Sequence, residues 1–329
     1  MNGRPVMPPV DPAIPHETTA TPAAVSPRGR ADLHVHTTHS DGVCSPCEVV
    51  IAAARVGLAA LAITDHDTVS ALPAARDEAA RLGLELINGV ELTCELDGRE
   101  LHLLGYFFDG EDPALLAAAS RLRDGRLVRL HATVEKLEAL GLSVDLDALG
   151  RAFPRATLGR RHLAEYLSRT GQVTSAREAF ARYLGDSRPA CLPKPRLEAA
   201  AAIALVRNAG GATALAHPPF YLRRDRLRAL AGAGLRALEV AGPGISNRLG
   251  RRFRAWADEL GLVPIAGSDF HAPDRPGRWV GAVTTPPSDL QRLREARPRY
   301  NMIGRESGSG RDEPQMNTDE RRSIQIGRE

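Results

Sequence analysis

The run Ala31-Asp32-Leu33-His34-Val35-His36, continued by Thr37-Thr38-His39-Ser40-Asp41-Gly42, decides how the rest of the chain is read. Leu33 and Val35 alternate with His34 and His36, the period of a β-strand, so both imidazoles leave the strand on one side. Two ring nitrogens at that spacing can close on one divalent cation if carboxylates elsewhere neutralise its charge. The rest of the chain repeats the arrangement, placing a His, Asp or Glu where an apolar run stops.

Apolar β-type runs fall at 31–36, 59–64, 84–91, 100–107, 212–216, 235–240 and 262–267. Helical stretches separate them, clearest at 46–56, 71–82, 197–209 and 247–260, where apolar residues recur at three and four. This alternation predicts an α/β fold with a largely parallel sheet, and seven strands can close a barrel smaller than the eight-stranded form. The rhythm breaks between Tyr106 and Gly211, a gap far longer than an ordinary strand–helix connection. Helices near 113–140, 159–170 and 175–184 predict an inserted helical subdomain, about residues 110–195, overhanging the active-site end of the barrel. Residues 1–29 and 297–329 lack periodicity and are expected to be a disordered leader and tail around one domain at 30–296.

The chain has 329 residues, 43% of them hydrophobic and 25% charged, ordinary for a globular protein. A net charge of +3 gives no electrostatic argument for binding long nucleic acids. Lys136 and Lys194 are its only lysines, a bias of composition. The four cysteines form no disulfide framework, and Cys44-x-x-Cys47 lacks the second pair that a structural zinc site needs. No charged-then-apolar leader and no membrane-length apolar run is present, so a cytoplasmic location is expected.

In barrels of this kind the reactive residues lie at strand C-terminal ends. His34 and His36 end the first strand; Thr64-Asp65-His66-Asp67 follows the second and Gly89-Val90-Glu91 ends the third. His102 lies in the fourth, His217-Pro218 follows the fifth, and Gly267-Ser268-Asp269-Phe270-His271 follows the seventh. His16, His39 and His131 are read as structural. The motifs D-L-H-x-H, S-D-G, T-D-H-D, G-V-E, A-H-P and G-S-D-x-H stand in order across residues 30–288. With them the chain resembles the PHP (polymerase and histidinol phosphatase) metal-dependent phosphoesterases. Gly159-Arg160-Arg161-His162 in the insertion makes it similar to the branch of nucleoside 3′,5′-bisphosphate phosphatases and short-RNA 5′–3′ exonucleases.

The resemblance implies a distorted (β/α)7 barrel and two or three divalent metal ions, manganese foremost, with zinc or iron as alternatives. It implies that His34, His36 and Asp269 hold one metal and that Glu91 bridges to a second completed by His102 and His217. Asp41, His66 and His271 would hold a third. A hydroxide bridging the metals, held by Glu91, Asp269, His34 and His36, would be the nucleophile. Asp65 is a candidate to orient a ligand imidazole, and Asp67 to cap a helix beginning near Val69.

A substrate with a second phosphate needs a second anion site, for which Arg160, His162 and Lys194 are the candidates, with Arg161 weaker. Aromatic content of 4% suits a small nucleotide or short oligonucleotide better than a long strand, with Tyr183, Phe220 and Tyr221 available to stack a base. No membrane or stable protein partner is implied. Histidinol-phosphate phosphatase is the second enzyme reading, against which Asp41 and the long insertion count. An inactive metal-binding accessory module is the alternative of another class, against which the complete ligand set counts.

Overall fold

The structure, a computed structural model, describes residues 29–154, 156–273 and 279–298. The expected leader and tail therefore lie outside the described residues, apart from Gly29, Arg297 and Pro298. The first half of the barrel comprises β1 (Ala31–Val35), α1 (Pro46–Arg55), β2 (Ala60–Ile63), α2 (Leu72–Leu82), β3 (Glu85–Leu96) and β4 (Arg99–Tyr106). Four helices follow: α3 (Pro113–Ala139), α4 (Leu146–Ala152), α5 (Arg160–Arg169) and α6 (Ala176–Ala179), the last continuing as a π-turn over Phe180–Leu184. The chain then returns through β5 (Leu197–Glu198), α7 (Ala199–Asn208), β6 (Ala212–Leu215), α8 (Arg224–Ala233), β7 (Ala237–Ala241), α9 (Asn247–Leu260), β8 (Val263–Ala266) and α10 (Pro287–Glu295).

The sheet runs β1-β2-β3-β4-β6-β7-β8, with the two-residue β5 beside β3. Bridges from Val35 to Phe270 and from Ala31 to Thr285 bring its two ends together, so the barrel is nearly closed. The parallel expectation fails at β4, which is antiparallel to both neighbours. The cause is local: β3 continues past Glu91 to Leu96, and Asp97 and Gly98, both at positive φ, turn the chain straight back. An Asp-Gly pair of that conformation is the turn whose twist matches a hairpin.

The core falls into separate layers. Ala60, Ala62, Ala214 and Ala237 share the barrel interior with Leu33, Ile87, Leu104 and Tyr106, and Leu290 and Leu293 of α10 pack onto it. Buried Tyr106 donates its hydroxyl to the Leu33 carbonyl at 2.8 Å, satisfying its one polar atom. Residues such as Leu61, Ile63, Leu92 and Phe253 form the layer between strands and outer helices. Leu33 and Val35, expected on one face, fall in these two different clusters, because the register of β1 against β2 shifts between Asp32 and Val35. The inserted helices keep a separate core around Leu137 and Leu167, two fully buried side chains each worth about 1.5–3 kcal/mol of apolar burial. Among the described residues no helix is long and apolar enough to cross a membrane.

Candidate metal centre

The barrel brings all nine expected ligand residues together at one end. Glu91 is the hub. Its Oε1 lies 2.8 Å from His102 Nδ1 and 2.9 Å from His217 Nε2. Its Oε2 lies 2.9 Å from His66 Nδ1, 3.2 Å from His36 Nε2 and 3.4 Å from His34 Nε2. Asp269 Oδ1 sits 3.4 Å from the Nε2 atoms of both His34 and His36. Asp41 Oδ1 is 3.2 Å from His271 Nε2 and 3.9 Å from His66 Nε2.

Four overlapping groups have donor atoms close enough to share a cation: His34, His36 and Asp269; His34, Glu91 and His217; His66, Glu91 and His102; and His36, Asp41, His66 and His271. The grouping differs in detail from the expected one. His102 and His217 meet Glu91 in separate groups, and His36 joins the Asp41 group.

Two glycines permit the convergence. A Cβ on Gly267 would collide with the His34 Cβ, so glycine there lets the segment carrying Asp269 close against β1. A Cβ on Gly42 would lie 2.5 Å from the His36 carbonyl oxygen, which the Asp41 loop must pass. His217 and Asp269 themselves have positive φ, 25° and 47°, a cost concentrated at the cluster. His102 reaches the same end by a different route from the other ligands. It lies near the start of β4, not its C-terminal end, and the antiparallel direction puts that start, opposite Thr93, beside Glu91.

Burial pushes the carboxyls of Glu91 and Asp41 up, but the imidazoles around them reverse this and hold both well below the usual carboxylate range. Burial likewise opposes charge on His36, yet Asp269 and Glu91 raise it to about 10. Glu239, Asp269 and Glu91 likewise outweigh burial and raise His34. Both rings are thus drawn toward protonation while their Nε2 atoms face each other at 3.1 Å, where two N–H groups cannot both fit. Asp41 Oδ1, His66 Nδ1 and Glu91 Oε2 are also buried without a hydrogen bond of acceptable geometry. Carboxylates interleaved with facing nitrogen lone pairs fit divalent metals, which replace the protons.

Several supporting residues differ from expectation. Asp65 serves the loop and not a ligand imidazole: it accepts from the Thr37 amide (2.7 Å) and hydroxyl (2.6 Å) and from the Ser40 hydroxyl, fixing the loop before Asp41. Asp67 is no helix cap, since α2 begins at Leu72 and its first turn has no side-chain cap. Asp67 instead accepts from the Thr93 amide at 2.7 Å and from Arg126 Nε at 2.7 Å.

The carboxylate that does orient an imidazole is Glu239, which went unrecognised in the sequence. Its Oε1 lies 3.0 Å from His34 Nδ1, and Oε2 accepts the His217 amide. The available signal was one acid within the apolar strand Ala237-Leu238-Glu239-Val240. Glu100 plays the same part for His102, whose Nε2 lies 3.3 Å from Glu100 Oε1.

The expected second-phosphate residues lie beside the cluster, already partnered. Arg160 Nη1 donates to the Leu184 carbonyl and to Asp186, and lies 3.2 Å from Cys191 Sγ. Lys194 Nζ donates to Glu100 at 2.5 Å. His162 is buried, its Nδ1 accepts the Gly159 amide, and burial lowers it to about 4. Arg129 was missed. Burial and the charges of Arg160 and Arg126 lower its pKa, and beyond its Nε bond to the Leu192 carbonyl it has no hydrogen bond among the described residues.

A nearly closed αβ barrel with a His-rich, carboxylate-centred cluster under helical cover defines the class as a metal-dependent hydrolase scaffold. The PHP domain profile matches residues 32–193. A 5′–3′ exoribonuclease of Haemophilus influenzae is 35% identical over 253 residues, covering 74% of this chain and 90% of that protein. A 3′,5′-nucleoside bisphosphate phosphatase of Chromobacterium violaceum is 35% identical over 256 residues, covering 76% and 90%. The crystal structure of a protein from Bifidobacterium adolescentis, described as a metal-dependent phosphoesterase, superimposes with a TM-score of 0.76 at 28% identity over 81% of this chain and 96% of that one. With this coverage and identity, the chain belongs to the PHP domain family.

Proposed function

We propose that this protein is a metal-dependent phosphoesterase that removes a phosphate from a nucleoside 3′,5′-bisphosphate and also trims short RNA from the 5′ end. The observation that carries the reading is a group of four cations tied to the neighbours of the Glu91 cluster, Lys194 through Glu100 and Arg126 through Asp67. Arg126, Arg129, Arg160 and Lys194 come from α3, α5 and the segment before β5, close enough for their charges to interact. Like charges held together in a half-buried place favour a polyanion, and Arg129 has donors to spare. The names of the Haemophilus and Chromobacterium relatives support the same substrate class.

In this reading His34, His36, Asp41, His66, Glu91, His102, His217, Asp269 and His271 hold the metals. Six imidazoles and three carboxylates without a thiolate suit manganese, zinc or iron alike, and manganese is the ion proposed. Bound metals would act as Lewis acids toward the phosphoryl oxygens and a water. The chain supplies the positioning. Glu239 and Glu100 set the tautomers of His34 and His102, and Asp65 fixes the loop that presents Asp41. Arg129 and Arg160 grip the phosphate that is not cleaved, registering the other against the cluster. A cytoplasmic location, where such substrates arise, goes with this reading.

The test is phosphate release from adenosine 3′,5′-bisphosphate with Mn²⁺. Asp269→Asn should lose about a hundredfold or more in turnover. Arg129→Ala should lose activity on the bisphosphate while keeping it on a simple monoester. Equal losses on both esters would remove the second-phosphate role. Wild-type activity confined to another ester would remove the substrate assignment.

A further inference from the structure

Beyond His217 the chain continues as Pro218-Pro219-Phe220-Tyr221 and, with the tip of the β3–β4 hairpin, lines an open cleft of about 360 Å³. That volume is in the range of small-ligand sites. Leu101 and Leu222 contribute apolar surface, while Arg99, Arg223, Arg226 and Tyr221 contribute cations and a ring. The Arg99 guanidinium lies 4.9 Å from the Tyr221 ring centroid, and Arg99 has no carboxylate partner among the described residues. Phe220 is 73% exposed and Tyr221 44%, the two rings meeting edge to face at 5.3 Å. Arg226 pairs with Asp97 at 2.8 Å and Arg223 with Asp225 at 3.0 Å. Both are exposed pairs, weak enough to be redirected to a stronger anion.

The cavity adjoins the metal cluster at two points. One is the short link from His217 to Tyr221. The other is Glu100, which lines the cavity and bonds His102 and Lys194. It is built from different elements than the Arg129–Arg160 group. The two phosphates of a mononucleotide bisphosphate are accounted for by the cluster and that group, so neither needs this site.

We infer that the cavity receives the nucleotide on the 3′ side of the scissile phosphodiester in a short single-stranded RNA, its base stacked on Tyr221 and its phosphate beside Arg99. This rests on the phosphoesterase reading above. An aromatic face with an arginine over it binds any base through its π-surface, so the site selects chain length and not sequence.

The experiment compares kcat/KM with Mn²⁺ on a 5′-phosphorylated tetraribonucleotide and on adenosine 3′,5′-bisphosphate, using the full chain. Alongside it, the dissociation constant of the same tetraribonucleotide is measured in EDTA, where nothing is cleaved. Tyr221→Ala and Arg99→Ala should each lower the tetranucleotide-to-mononucleotide ratio about tenfold and weaken binding in EDTA by a similar factor. Tyr221→Phe should keep both, which also controls for folding.

An unchanged ratio overturns the proposal, as does an equal loss on both substrates, which would assign the cavity to the terminal nucleotide. Wild type active on the bisphosphate but inert on RNA overturns the occupant alone. Wild type inert on both removes the phosphoesterase reading, and the EDTA binding measurement then decides the cavity by itself.

Discussion

Glu239→Gln tests whether the second carboxylate layer, invisible in the motifs, governs metal binding. Glu239 is 2% exposed and uses both oxygens as acceptors, Oε1 toward His34 Nδ1 at 3.0 Å and Oε2 from the His217 amide. Glutamine has the same shape but only one acceptor. If its oxygen takes the His217 amide, its NH₂ faces His34 Nδ1 and forces the other tautomer. The proton then sits on His34 Nε2, the atom 3.4 Å from both Glu91 and Asp269. If the amide is flipped, the His217 N–H is left buried and unpaired.

Either arrangement costs about 1–3 kcal/mol in stability. Mn²⁺ affinity should fall about 10- to 100-fold, the usual effect of losing such a partner. Competition with a calibrated chelator reads the affinity, and urea unfolding in EDTA reads the stability separately. Activity should return at high Mn²⁺. A variant with wild-type Mn²⁺ affinity and only a lowered urea midpoint would refute the reasoning and leave Glu239 as a structural acid.

Other perturbations follow from the same geometry. Arg126→Met leaves Asp67 buried without its cation and should cost about 3–5 kcal/mol in urea unfolding at pH 7; a loss below 1 kcal/mol would contradict the pairing. Burial, opposed by Arg126, leaves Asp67 with a lowered pKa, so that pair's contribution is present at neutral pH and lost as pH falls. His162, ordinarily near 6.5 and lowered to about 4, stays neutral in the fold while the unfolded chain takes up a proton. Stability should therefore fall by up to about 3 kcal/mol between pH 6.5 and 4, and His162→Gln should flatten that slope; parallel curves would contradict it. Mn²⁺ at about 100 times its dissociation constant should add roughly 2.7 kcal/mol and raise Tm by roughly 5–10 °C over EDTA, a shift that Asp269→Asn should largely remove.

What could be read from the sequence was whatever local spacing encodes. The apolar runs and the residues ending them recover the seven barrel strands, and α9 runs over Asn247–Leu260 as its periodicity predicts. Direction was not encoded there. Nothing in Glu100-Leu101-His102-Leu103-Leu104 says which way the strand runs, and only the Asp97-Gly98 turn two residues earlier carries that information. Partner choice was also out of reach. Asp65 and Asp67 flank the same histidine, yet one holds the Thr37–Ser40 loop and the other reaches Arg126, 59 residues away in the insertion.

That last contact bears on mechanism. Arg126 joins α3 to Asp67 and, through Nη2 at 2.6 Å, to Thr93. Thr93 is two residues beyond the hub Glu91 and opposite His102. Asp67 is next to His66. On the proposed function, a phosphate drawn to Arg129, one turn further along α3, would therefore pull on an element already bonded to the neighbours of three cluster residues. Arg126 thus ties α3 to the neighbours of the cluster, and loosening it should misplace both phosphates of the proposed bisphosphate together. If Arg126→Met, at a pH and temperature where it stays folded, lowered turnover only through one of them, the two sites would have to be independent.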